Sequence, residues 1–238
     1  FRHNIDLIEV SNGLRVALVH DDRTNLATVD MRFEVGAAED PPGRAGLAHL
    51  VEGLMFEIRE RGDGPTLGDE LGELALHHNA WTSWDTTHYT ATVPVEHLER
   101  ALALEARRLR VTCDQLDEAT FRRERDVVLA EDKQRATPLD ETFRAILGDV
   151  YGAGHPYTRP VGSPEVATAT REEACAFIER HYTPDRAKLV VTGPYDRRSI
   201  QGLLGRTFGP ARRQAGTPRA PVAAARLTGT LSRRTAAV

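Results

Sequence analysis

His49 and Glu52 stand three residues apart in the run Gly46-Leu47-Ala48-His49-Leu50-Val51-Glu52-Gly53-Leu54-Met55-Phe56, whose apolar spacing predicts a helix. That separation puts both side chains on one helix face. An imidazole there can hold a divalent metal ion, and a carboxylate beside it can serve as base toward a metal-bound water. The inverted zinc motif is His-x-x-Glu-His; in this chain the second histidine position is Gly53. Alone, the pair is weak, because i,i+3 His–Glu contacts also occur on ordinary solvated helices. A second candidate is Glu124 with Glu131, seven apart in an Arg-rich stretch. Two turns of helix place them on one face, which is either a carboxylate supply to the first helix or a charged solvent face.

The elements that must carry these residues are legible from pattern. Residues 5–36 read as strands, with Asn12-Gly13 as a hairpin turn. After the Pro41-Pro42-Gly43 break, a helix is predicted from Ala45 to Phe56 and another from Leu67 to Leu76. Trp81 to Val93 reads as one long strand ending at Pro94. Helices are then predicted over Val95–Leu109, Asp117–Arg135, Asp140–Val150 and Arg171–His181, followed by a strand over Ala187–Gly193 and a short helix over Ser199–Thr207. The segment from Pro210 to Pro221, rich in Ala, Arg, Gly and Pro, reads as a linker, and residues 226–231 as the start of another strand. One α+β domain therefore fills most of the chain.

Bulk properties exclude several classes. The chain has 238 residues, 40% hydrophobic and 28% charged, with net charge -4, which suits a globular fold with its own core. Signs are mixed, so no basic stripe marks a nucleic-acid surface. Lys133 and Lys188 are the only lysines, a bias towards arginine that reads as GC-rich coding. No apolar run is long enough to span a bilayer, and no signal-peptide pattern stands at the start; a cytoplasmic location is expected. Cys113 and Cys175 form no close-set pair and no Cys-x-x-Cys, and are read as two small, partly buried residues.

With these motifs in order, the sequence resembles the M16 family, the insulinase and mitochondrial-processing-peptidase group. The resemblance covers about residues 5–209. It rests on the Gly46–Phe56 run, on Asn79-Ala80-Trp81-Thr82 with Thr87-His88-Tyr89, on Arg125–Glu131, on His155-Pro156-Tyr157 and on the Tyr182–Gly193 stretch. It implies an M16-type domain, a mainly antiparallel sheet packed against several helices, forming one quarter of a clamshell that encloses a peptide. Residues 1–209 would be the N-terminal-type domain, and 210–238 a linker and the start of a second. Carried over by position, His49 and Glu131 are zinc ligands, Glu52 is the catalytic base and Glu124 a supporting acid. Asn79, Ala80, Trp81 and Thr82 form a substrate edge strand, which an extended peptide joins through main-chain hydrogen bonds. Packing is the alternative role for Trp81 and Trp84.

The family's second histidine falls on Gly53. Catalytic zinc keeps three protein ligands; this chain offers two. Each ligand of a structural zinc site is worth on the order of 3 kcal/mol, or about a hundredfold in affinity, so zinc is expected to be weak or absent. Glycine inside a helix costs roughly 0.5–1 kcal/mol relative to alanine, so Gly53 is no conformational improvement. His77 and His78 are residues of the right type nearby, but read as polar loop residues. The preferred reading is an impaired or non-catalytic subunit that pairs with a second M16 chain or domain around a peptide. The alternative is an active zinc metalloendopeptidase with an unusual metal shell. An unrelated α+β binding domain is disfavoured by the ordered motifs.

Overall fold

Alternation builds the sheet. In β3 (Leu26–Phe33), Ala27, Val29, Met31 and Phe33 are buried and the residues between them only half so. β5 (Thr87–Pro94) and β6 (Ala187–Gly193) repeat the pattern, as strands with one face on a core must. With β1 (Ile5–Glu9), β2 (Arg15–His20) and β4 (His77–Thr82) they form a six-stranded sheet in the order β1-β2-β6-β3-β5-β4. Only β2 and β6 run parallel; every other neighbouring pair is antiparallel. The computed structural model describes residues 5–60, 62–135, 137–152, 154–212 and 224.

The helices are α1 (Leu47–Glu57), α2 (Leu67–Leu74), α3 (Leu98–Arg107), α4 (Glu118–Arg135), α5 (Pro138–Tyr151), α6 (Arg171–His181) and α7 (Ile200–Phe208). α1 is buried over most of its circumference, at Leu47, Ala48, His49, Leu50, Val51, Leu54 and Met55, which makes it a core helix rather than a surface one. No side chain caps it from Gly46. Instead Asp40, from the preceding turn, accepts from the Gly46 and Ala48 amides at 2.8 Å each, supplying the orphan amides of the first turn with acceptors. α4 lies against α1 and begins with Asp117 accepting from the Thr120 amide at 2.7 Å. This is the α+β architecture the pattern predicts.

Two expectations change. The long strand over 81–93 is a hairpin: β4 ends at Thr82 and β5 begins at Thr87. Its turn is closed by Ser83, whose amide donates to the Thr86 carbonyl at 2.8 Å and whose hydroxyl accepts from the Asp85 and Thr86 amides. The turn Ser83-Trp84-Asp85-Thr86 carries serine and aspartate but no glycine or proline, so only the strongest turn signals are missing. Gly36 lies across this turn, and a Cβ there would stand 2.2 Å from the Ser83 carbonyl oxygen. Second, Cys113 and Cys175 are joined in a disulfide across 62 residues of sequence; chain folding, not spacing, brings them together. Most of the expected linker and the strand expected at 226–231 lie outside the described residues. No helix among the described residues is long and apolar enough to cross a membrane.

Candidate functional site

α1 and α4 bring the two motif halves together. His49 Nε2 lies 3.5 Å from Glu131 Oε2, and His49 is buried. Its other ring nitrogen, Nδ1, has no hydrogen-bond partner among the described residues; Asp132 Oδ1 stands 3.9 Å away. Consecutive residues of α4 thus flank one imidazole from both sides. Asp132 carried no motif signal. Its neighbourhood is close-packed: a Cβ on Gly162 would stand 1.8 Å from Asp132 Oδ1.

Glu52 is held from the sheet. The Thr82 hydroxyl, at the end of β4, donates to Glu52 Oε2 at 2.5 Å, and Thr82 Oγ1 lies 3.4 Å from Thr87 Oγ1. Behind them the phenols of Tyr89 and Tyr182 meet at 2.8 Å. Burial, with the Glu52 charge adding to it, holds both phenols above their ordinary range, so both stay protonated. The Arg108 guanidinium sits 3.9 Å above the Tyr89 ring and is paired with buried Glu105 at 2.9 Å.

At position 53 the helix surface is bare. A Cβ on Gly53 would meet Glu124 Oε2 at 2.7 Å, so the Glu124 carboxylate rests over the bare helix surface where a longer side chain would emerge. Burial, and the neighbouring charges of Glu57 and Glu131, raise the Glu124 carboxyl against the opposing pull of Arg123. His77 is exposed and His78 packs on the Phe56 ring at 5.9 Å; burial pushes the His78 imidazole down. Among the described residues no group of three or more His, Cys, Asp or Glu side chains comes together to hold a metal. The donors at hand, one imidazole and one close carboxylate, do not fit a three-ligand catalytic zinc site.

Beside this cluster β4 forms the end of the sheet, paired only with β5 among the described strands. Asn79 and Trp81 are exposed, while Ala80 and Thr82 are half-buried. Trp81 stacks on His88 with ring centroids 4.4 Å apart and planes 9° from parallel, and His88 Nδ1 is 3.2 Å from Asp30 Oδ1. Trp84 takes the packing role: its indole donates to the Arg159 carbonyl at 2.9 Å and lies against Phe143 and Tyr157.

The sequence profile of Insulinase (Peptidase family M16) matches residues 15–163, and that of the Peptidase M16 inactive domain residues 168–232. The mitochondrial-processing peptidase subunit beta of Lentinula edodes is 28% identical over 85% of this chain and 44% of its own length. An uncharacterized zinc protease of Mycobacterium leprae is 32% identical over 83% of this chain and 44% of its own. The chain thus spans less than half the length of these relatives. Two crystal structures share the fold: pitrilysin, with TM-score 0.82 and 21% identity over 94% of this chain and 24% of that one, and the first half of the periplasmic protease PqqL from Escherichia coli, with TM-score 0.81 and 20% identity over 92% and 48%. With the insulinase profile matching more than half of this chain, α1 and α4 included, the chain belongs to peptidase family M16.

Proposed function

We propose that this chain is an impaired or non-catalytic M16 subunit that holds an extended peptide along β4 and pairs with a second M16 chain or domain to enclose it. The observation that carries this reading is the glycine at position 53 with the Glu124 carboxylate lying over it. A second imidazole is absent, and an acid occupies the room a substitute would need. Weak or absent zinc follows from a two-donor set.

What remains is a peptide-holding device. The free side of β4 offers backbone amides and carbonyls to an extended chain, a mode that tolerates varied sequences. Thr82 stands at the end of that edge with its hydroxyl on Glu52, so a bound peptide would lie against the residue that orients the carboxylate. The mitochondrial-processing relative is named as a subunit, which supports a paired assembly. The cystine favours an oxidising compartment over the cytoplasm expected from sequence.

The test is metal analysis of the purified chain together with peptide cleavage, alone and with a co-expressed M16 partner. Substoichiometric zinc, no cleavage by the chain alone and cleavage in the pair are expected. Stoichiometric zinc with chelator-sensitive cleavage by this chain alone would overturn the proposal. That result would favour an active zinc metalloendopeptidase with an unusual shell, a reading supported by the 3.5 Å approach of His49 and Glu131 beside Glu52.

A further inference from the structure

The Cys113–Cys175 bridge closes the stretch of chain that contains α4, α5 and the loop of His155. Glu124, Glu131 and Asp132 all lie within it. α4 has a weak apolar grip for its length: of its 18 residues, Thr120, Phe121 and Val128 are the buried ones among the described side chains, and much of the rest is charged and exposed. Five residues before its start, Cys113 is bonded to Cys175 of α6. A second clasp is Arg171, which donates from Nη1 to the Cys113 and Leu116 carbonyls at 3.1 Å each. Seating of α4 on α1 is what brings Glu131 to His49.

The same bridge borders a cleft. Both cysteines are half-buried and line a cleft of about 470 Å³ together with Arg110, Thr112 and Arg212. Arg171 Nη1 also lies 3.4 Å from Cys113 Sγ. A guanidinium at that distance stabilises a thiolate on Cys113, and the sulfur that forms the more stable thiolate is the better leaving group in thiol–disulfide exchange.

We infer that the Cys113–Cys175 cystine is an exchange site for a dithiol reductant, and that its redox state controls how α4, with Glu131 and Asp132, seats against His49. A thiolate of the reductant attacks Cys175 Sγ, and the Cys113 thiolate leaves beside Arg171. The second thiol of the reductant then attacks its own sulfur in the mixed disulfide and releases Cys175. Two electrons pass to the protein, the reductant becomes a cyclic disulfide, and the two protons of the reductant end on the two protein thiols or in solvent. The consequence for peptide holding rests on the function proposed above; the seating of α4 does not.

The test uses the full chain purified in air, with dithiothreitol as the probe. Thiol titration should find no free thiol before treatment and two after it. Amide exchange over α4 should then accelerate by at least about tenfold while β3, β5 and β6 stay protected. The double variant Cys113→Ser/Cys175→Ser should exchange like the reduced protein. Arg171→Gln should slow reduction severalfold and Arg171→Lys, which keeps the charge, should largely restore it. Two free thiols in the air-purified protein, unchanged α4 exchange on reduction, or loss of protection across the whole sheet would each overturn the inference; so would an Arg171→Gln variant reduced at the normal rate. Extended-peptide affinity, measured in both states, separates the two proposals. Loss on reduction supports both, equal binding in both states overturns the coupling, and no binding in either state overturns the peptide function while the α4 result stands by itself.

Discussion

At position 53 the helix surface carries no side chain, and the Glu124 carboxylate lies 2.7 Å from where a Cβ would stand. The carboxylate that meets a Cβ there is the end of a flexible side chain, so a histidine can be installed if Glu124 swings aside. Gly53→His should raise zinc affinity by about a hundredfold, the worth of one further ligand, and Gly53→His/Glu124→Gln by at least as much. Competition against a chromophoric chelator measures it; unchanged affinity in both variants would mean that the Gly53 face of α1 is not directed at the His49–Glu131 pair. Two buried titratable groups give opposite pH dependences. Burial pushes the Asp40 carboxyl up from 3.8 to about 7, against the Ala48 and Gly46 amides and the Arg159 charge. Folded protein then holds that proton more tightly than unfolded protein, so this contribution to stability is full below about 4 and is lost as pH rises through about 7. Burial and the Arg186 and Arg180 charges push His181 down from 6.5 to about 3. Its contribution is present above 6.5 and is lost as pH falls towards 3. Between pH 4 and 6.5 the two oppose each other. Urea unfolding across that window should show stability of Asp40→Asn rising more steeply with pH than that of the native chain, and stability of His181→Asn falling with pH. Slopes unchanged by either variant would remove these groups from the account.

At the scale of elements, a buried ion pair and a covalent link tie helices to their neighbours. Glu105 and Arg108 on the α3 side are almost fully buried, and Arg108 also donates to the Met55 carbonyl in the last turn of α1 at 2.7 Å. Glu105→Ala leaves a buried guanidinium without its carboxylate and should cost about 3–5 kcal/mol. Replacing both partners by apolar residues of similar volume should cost much less, as chemical denaturation would show. The disulfide closes a loop large enough that the chain-entropy account assigns it about 4 kcal/mol. Cys175→Ser should therefore lower the denaturant midpoint clearly, with α4 the first element to lose protection; an unchanged midpoint would place the bond outside the cooperative unit. Thr82 joins an element to a residue. Thr82→Val keeps the shape and removes the donor to Glu52, and if β4 holds the peptide, affinity should change far less than after disruption of the β4 edge by proline.

At the scale of the whole molecule, the sheet leaves β4 at one end and β1 at the other, and β6 enters between β2 and β3 after the long helical segment. The two M16 profiles meet between residues 163 and 168, yet β6, from the second, completes the sheet of the first. The sheet therefore spans that profile boundary. A truncation at residue 166 would remove the strand that joins β2 to β3 and should leave no cooperative unfolding transition in circular dichroism; a retained transition would show that β6 is dispensable.

Sequence alone determined the periodic parts: the half-buried strands β3 and β6, the helix α6 at its observed bounds, and the motif order that led to an M16 fold. Those features are written locally, because a strand with one wet face and a capped amphipathic helix each leave a repeating mark. Tertiary structure decided the rest: that residues 49 and 131 lie 3.5 Å apart, that Asp132 flanks the same ring, that Asp40 caps α1, that Thr82 holds Glu52, and that two cysteines 62 residues apart are bonded. Each of these depends on where packing places one element against another, and pairwise distances of that kind have no period along the chain.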